Sequence, residues 1–203
     1  MKTSLRMIII LIAVSIVGWL ISSCSCSSCS KDNEANVPLN VLHNANKYVI
    51  SKTGEEFFNK YITPDFARTK YVPPYYEMAY QLFVPEKPYV ASTIRFTVDS
   101  LGLVVKKRDI LGIPNCAIHP TQCDWKVDKE TAILIAEKYG FEKGVKDWDV
   151  GFIWNPERQI YVWHVLSTIR QFEGDFGYRA NGKEMIIDPV SGDVLAIHDW
   201  KIN

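Results

Sequence analysis

The side chains best suited to chemistry in this 203-residue chain lie in a proline-marked stretch, Cys116-x-x-His119-x-x-x-Cys123. Thiolates and imidazole suit zinc. A closed structural zinc site takes four ligands, however, and the fourth here would be Asp124 or a distant group. The same spacing suits a disulfide, the commoner fate of two neighbouring cysteines outside the cytoplasm. Its small loop is worth roughly 2.5 kcal/mol in chain entropy. Free thiols and a Cys–His nucleophile are the other outcomes, the latter with no third group in view to orient the histidine.

The remaining candidates for chemistry each have a simpler reading. His164, between Trp163 and Val165, reads as a hydrogen-bonded histidine on a sheet face, and His43 and His198 look no different. Asp147 and Asp149 would share one face of a strand, as solvated carboxylates commonly do. Glu173-Gly174-Asp175 lacks the run of oxygen ligands that calcium loops use. Asp99 and Asp188 are placed to accept backbone N–H bonds from tight turns. Neither G-x-S-x-G, H-E-x-x-H, a P-loop nor a Rossmann fingerprint occurs. The sequence therefore assigns no catalytic residue, no metal ligand and no cofactor, and it favours a binding role over an enzyme.

The segment with most to offer a partner is Arg170 to Lys183 (RQFEGDFGYRANGK). Phe172, Phe176 and Tyr178 with Arg170 and Arg179 are the residue types that anchor protein contact surfaces. The competing reading is a glycine-rich loop, Glu173 to Gly182, that folds these aromatics back on the core. Tyr75 and Tyr76, beside Pro73-Pro74, pose the same choice.

Covalent chemistry of another kind is written at the start of the chain. Lys2 and Arg6 precede Met7–Ile21, fifteen uncharged apolar residues, short for a membrane span of roughly 20. Ile21-Ser22-Ser23-Cys24 then resembles the lipobox of bacterial lipoproteins. That resemblance implies cleavage before Cys24, diacylglycerol on its thiol and a permanent lipid anchor in an envelope membrane. An uncleaved anchor helix and cleavage by an ordinary signal peptidase are the alternatives. Cys26 and Cys29 lack an aliphatic residue three positions before them. Ser30-Lys31-Asp32-Asn33-Glu34 resembles the acidic export signals of surface lipoproteins in Bacteroidota.

Removing 1–23 takes Lys2 and Arg6 with it, leaving 21 basic against 23 acidic residues. No basic stripe emerges, so nucleic acid has no electrostatic reason to bind. The expected partners are the membrane, through the lipid, and an envelope or secreted protein. Aromatic residues make up 12% of the chain, which favours a β-rich core.

One supersecondary unit occurs twice. In the clearer copy Asp128 caps a helix whose Ala132, Ile135, Ala136 and Tyr139 share a face, and Gly140 ends it. Strands follow at Asp149–Trp154 and Ile160–Arg170, then a hairpin of Glu184–Asp188 and Asp193–Trp200. In the first copy Ile50-Ser51-Lys52 stands where Val127-Asp128-Lys129 stands later, Thr53-x-x-Glu56 offers a capping box, and strands are expected at Tyr76–Val84, Ser92–Asp99 and Gly102–Lys107. The fold class is α+β: two similar helix-plus-antiparallel-meander units, one helix packed on each sheet. The division is a signal peptide at 1–23, a flexible lipidated tether at 24–40, unit one at 41–112, a linker with the cysteine pair at 113–126 and unit two at 127–203.

Three stretches carry a family resemblance. Val127-Asp128-Lys129-Glu130-Thr131-Ala132-Ile133-Leu134-Ile135-Ala136 is similar to the opening helix of PepSY domains, and Tyr161-Val162-Trp163-His164-Val165 to their central strand. Ile187-Asp188-Pro189-Val190-Ser191-Gly192-Asp193-Val194-Leu195 resembles their closing hairpin. The match covers about 127–200, with 48–107 by analogy. It implies a secreted, non-enzymatic module that restrains peptidases, with no catalytic residues to transfer. A tryptophan-bearing strand, a glycine-rich loop and a final Gly-Asp-Val-Leu-Ala-Ile-His hairpin also resemble the ends of NTF2-like immunity proteins. That implies neutralisation of a toxin by a single, more curved domain without an internal repeat.

Overall fold

A computed structural model describes residues 36–174 and 177–202. The chain enters through helix α1 (Leu39–Thr53), whose Val41, Ala45, Val49 and Thr53 recur every fourth residue and are all buried. The sequence reading placed Ile50–Lys52 in front of a helix. They are instead inside α1, so the proposed alignment of the two copies fails at this point. Thr53 Oγ1 donates back to the Val49 carbonyl at 3.0 Å, so the expected capping box with Glu56 does not form. Gly54, at φ 85°, ends α1 and begins α2 (Glu55–Tyr61) without a side-chain cap. That positive φ is one glycine adopts at little cost.

The first sheet follows. β1 (Ile62–Pro64) and β2 (Lys70–Val72) pair in turn with one edge of β3 (Tyr75–Phe83), and β4 (Ala91–Val98) pairs with the other, all antiparallel. The strand expected at Gly102–Lys107 shrinks to isolated bridges, Val98 to Val104 and Arg95 to Leu111, because the chain turns away after Val105. Alternation along β3 and β4 sends Met78, Tyr80, Leu82, Ile94, Phe96 and Val98 into a core with Val41, Ala45, Val49 and Phe58. The Tyr80 hydroxyl donates to Asn46 Oδ1 at 2.8 Å, fixing α1 to the sheet.

The second sheet is a meander, β5 (Asp149–Asn155), β6 (Ile160–Gly174), β7 (Gly177–Ile187) and β8 (Val194–Ile202), antiparallel throughout. Asp128 Oδ1 accepts the Thr131 N–H at 2.8 Å at the start of α3 (Lys129–Lys138). Hydrogen bonding from the Thr131 side chain together with that N–H holds the Asp128 carboxyl below its usual range. Ala132 and Ala136 of α3 pack with Trp163, Val165, Met185 and Ile187, the β6 face that alternation predicts. Trp163 Nε1 donates to the Val127 carbonyl at 2.8 Å.

The turns at Asp99 and Asp188 differ by one residue in length but share a carboxylate that accepts the N–H two residues on. Gly102 N–H donates to the Asp99 carbonyl, and Gly192 N–H to the Asp188 carbonyl, at 2.9 Å each. Asp99 Oδ1 accepts from Leu101 and Leu103, and Asp188 Oδ1 from Val190 at 2.7 Å. Helices and two antiparallel sheets make the protein α+β. Trp125, Tyr89, Phe152 and Tyr161 sit between the two cores, Phe152 stacked on Tyr161 at 5.2 Å and Trp125 edge-on to both. No helix among the described residues is long and apolar enough to cross a membrane.

Candidate functional site

β6 and β7 outrun their neighbours. β5 reaches only as far as Leu166 of β6, and β8 ends opposite Ala180 of β7. Past a bulge at Ile169 the two strands continue as a twisted ribbon to Gly174 and Gly177. The loop expected at Glu173–Gly182 is therefore strand, apart from residues 175 and 176, which lie outside the described residues. Gly182 makes this possible: Trp200 crosses it, and the indole Nε1 donates to the Ser167 carbonyl on β6 at 3.1 Å. A side chain at 182 would meet that carbonyl and the indole ring.

The ribbon sorts the expected contact residues by face. Phe172 is directly opposite Arg179, and Arg170 is opposite Asn181, which in turn faces Lys201. Arg170, Phe172, Arg179 and Lys201 therefore share one face. Tyr178 pairs with Glu173 and points the other way. Four of the five residues are thus on one element, with three of them on a common face; Phe176 lies outside the described residues. The idea that these aromatics fold back on the core does not hold for Phe172, which stays 66% exposed. Its ring leans along the strand over Gly174. Val145, Phe172 and Ile202 with Arg170, Arg179 and Lys201 line an open concavity of about 820 Å³. Val145 and Lys201, distant in sequence from the ribbon, carried no signal of their own. What brings Val145 in is its N–H, bonded to the Thr168 carbonyl at 2.8 Å.

The other candidates take structural roles. Cys116 and Cys123 are bridged, with Cα atoms 5.6 Å apart, so neither sulfur is a thiolate for zinc or for nucleophilic attack. The loop they close is tied to the end of α1 by Ala117 N–H to the Lys52 carbonyl at 2.9 Å, and His119 is exposed beside it. His164 Nε2 lies 2.7 Å from Glu184 Oε2 on the sheet face away from α3. Asp147 precedes β5, which begins at Asp149, and both are exposed; they do not form a strand pair. Tyr75 lies under the Arg108 guanidinium at 4.7 Å, and Tyr76 packs on Tyr71 and against the first core. Among the described residues no three His, Cys, Asp or Glu side chains come together to hold a metal. Cys24 and the whole leader segment lie outside the described residues. No protein-family model matches the chain, and neither does any curated protein.

Proposed function

We propose that the chain is a lipid-anchored, non-catalytic binding module of the cell envelope, which holds a protein partner against the β6–β7 ribbon. The observation that carries this reading is Phe172: a large apolar ring exposed to solvent on a paired strand, flanked by Arg170 and Arg179 at the rim of an open concavity. Rigid aromatics beside arginine supply contact area at low entropic cost. The cysteines that would be needed for zinc or for nucleophilic chemistry are engaged with each other. The lipid anchor rests on Cys24 and the residues before it. A PepSY-like character of the second half is supported by the Asp128-capped helix, the meander that follows and the carboxylate-anchored turns at Asp99 and Asp188. A peptidase is the partner class this resemblance implies.

Crosslinking in the native cells with a photoreactive residue at position 172 tests the reading. One envelope or secreted protein should be captured, and Phe172→Ala with Arg179→Ala should abolish its co-purification without lowering the melting temperature. Capture that survives both changes would place the contact elsewhere. The anchor is tested by mass spectrometry of the mature amino terminus, where Cys24→Ala should eliminate the acyl mass.

A further inference from the structure

The first sheet has a helix-free face, and it is concave. On β3 and β4 the residues pointing away from α1 are Glu77, Ala79 and Gln81, opposite Thr97, Arg95 and Thr93 respectively. Ala79 and Thr97, 2% and 6% exposed, are small and form a floor below their neighbours. One wall is the Asp65–Lys70 segment, pinned by Ala79 N–H donating to Thr69 Oγ1 at 3.1 Å. The opposite wall is the 105–111 segment, held to β4 by the paired Arg95 and Leu111 backbone bonds at 2.8 and 2.9 Å. Together they enclose about 630 Å³.

The lining of this cleft departs from the charge balance of the chain. Five cations, Arg68, Lys70, Arg95, Lys107 and Arg108, meet only two carboxylates, Glu77 and Asp109, in a chain with 23 of each sign. Two of the cations are oriented: Arg68 by Asp65 at 3.3 Å and Thr93 Oγ1 at 3.2 Å, Arg108 by Glu77 at 3.7 Å and the Tyr75 ring. Lys70, Arg95 and Lys107 form no ion pair among the described residues. Like charges gathered in a cleft repel one another, and a compensating anion removes that cost. We propose that this cleft binds a phosphate ester, with Arg95 and Lys107 as its principal contacts. A dianionic group matches the excess of cations, and a guanidinium can grip two of its oxygens at once. The volume admits a sugar- or lipid-sized body attached to the phosphate. This site is separate from the ribbon and does not depend on its role.

The test uses the full chain reconstituted in phosphatidylcholine nanodiscs and titrated with glucose 6-phosphate, with glucose as the neutral control. Saturable binding of the phosphate alone is expected, weakened on the order of tenfold by Arg95→Gln with Lys107→Gln and unchanged by Lys138→Gln with Lys146→Gln. Lys70→Gln with Lys107→Gln provides a second pair should the first lower the melting temperature. Repeating the titration with roughly half the lipid replaced by phosphatidic acid, itself a phosphate monoester, separates the sources. Competition that weakens glucose 6-phosphate binding identifies a lipid headgroup as the occupant, and unchanged binding identifies a free phosphorylated ligand. Absence of saturable binding, or binding equal in the wild-type chain and both cleft variants, overturns the proposal.

Discussion

Asp99 and Asp188 show how much one carboxylate oxygen can organise. Asp99 Oδ1 takes the N–H groups of both Leu101 and Leu103 at 2.9 Å, donors that the turn leaves without a backbone acceptor and that would otherwise turn to water. Hydrogen bonds to a charged acceptor contribute about 1.5–3 kcal/mol each at the strong end. Asp99→Ala is therefore expected to lower the urea midpoint by an amount equivalent to about 2 kcal/mol. Asp99→Asn, which keeps an oxygen in place, should recover most of it. Tyr161 makes a second prediction at this scale. Its hydroxyl donates to the Gly112 carbonyl at 2.9 Å inside the protein, and burial pushes its pKa from 10.0 up to about 12. The folded state thus holds a proton that the unfolded chain releases near pH 10. The associated stability is complete below that pH and is lost as pH rises from about 10 to about 12, on the order of 2–3 kcal/mol in all. Burial raises Tyr80 in the same direction. Equilibrium unfolding measured across this range should show the decline, and Tyr161→Phe should make it shallower, leaving the share that Tyr80 contributes.

The elements differ in how plainly their residues announce them. β6 and α3 are legible from local pattern, with Tyr161, Trp163 and Val165 on a buried face of the strand and Asp128 marking the start of the helix. β5 and β8 hold no fully buried residue and are announced by the turns that bound them. α1 gives weaker signals. Its N-cap is Pro38, without a side-chain hydrogen bond, its apolar stripe includes the small Ala45, and Asn40, Asn44 and Asn46 are poor helix formers. Tertiary packing on Tyr80 and Phe96 makes the helix, and no local pattern reports that contact. The ribbon is hidden for another reason. Beyond Ala180 neither face is covered by a helix, so period-two burial has no cause to appear, and three glycines imitate a loop. The candidate contact residues stand out by type alone, while their division between two faces needs the register. The disulfide was legible from spacing. Its loop is short and already tied to α1 through Ala117, so changing Cys116 and Cys123 to serine should cost about 2.5 kcal/mol. Chemical denaturation of the wild type with and without reductant should reproduce that difference. A loss well below 1 kcal/mol would mean that the unfolded chain is already nearly as constrained in this loop without the bridge.

At the scale of the molecule the two cores are not independent. Trp125 is 1% exposed and belongs to the first core, yet it packs edge-on against Phe152 of β5 at 5.6 Å and Tyr161 of β6 at 5.7 Å. Tyr89 reaches from the first half to Trp163 at 5.1 Å, and both it and Phe152 border both clusters. The Trp125 carbonyl further accepts the Lys87 ammonium at 2.6 Å and the Tyr89 hydroxyl at 3.1 Å. Aromatic pairs add about 0.5–1.5 kcal/mol each beyond the area they bury, so this cluster couples the halves by several kcal/mol. Separate units joined only by a linker would unfold in two steps. A shared aromatic cluster instead makes the first half a condition for the second, and tryptophan fluorescence and far-UV dichroism should trace one coincident transition. Phe152→Ala removes the ring that touches both sides. It should cost about 3–5 kcal/mol and, more tellingly, separate the two signals, because what it deletes is the contact between the cores. A destabilised variant that still unfolds in one step would show that the coupling runs through Trp125 and Tyr89 without Phe152.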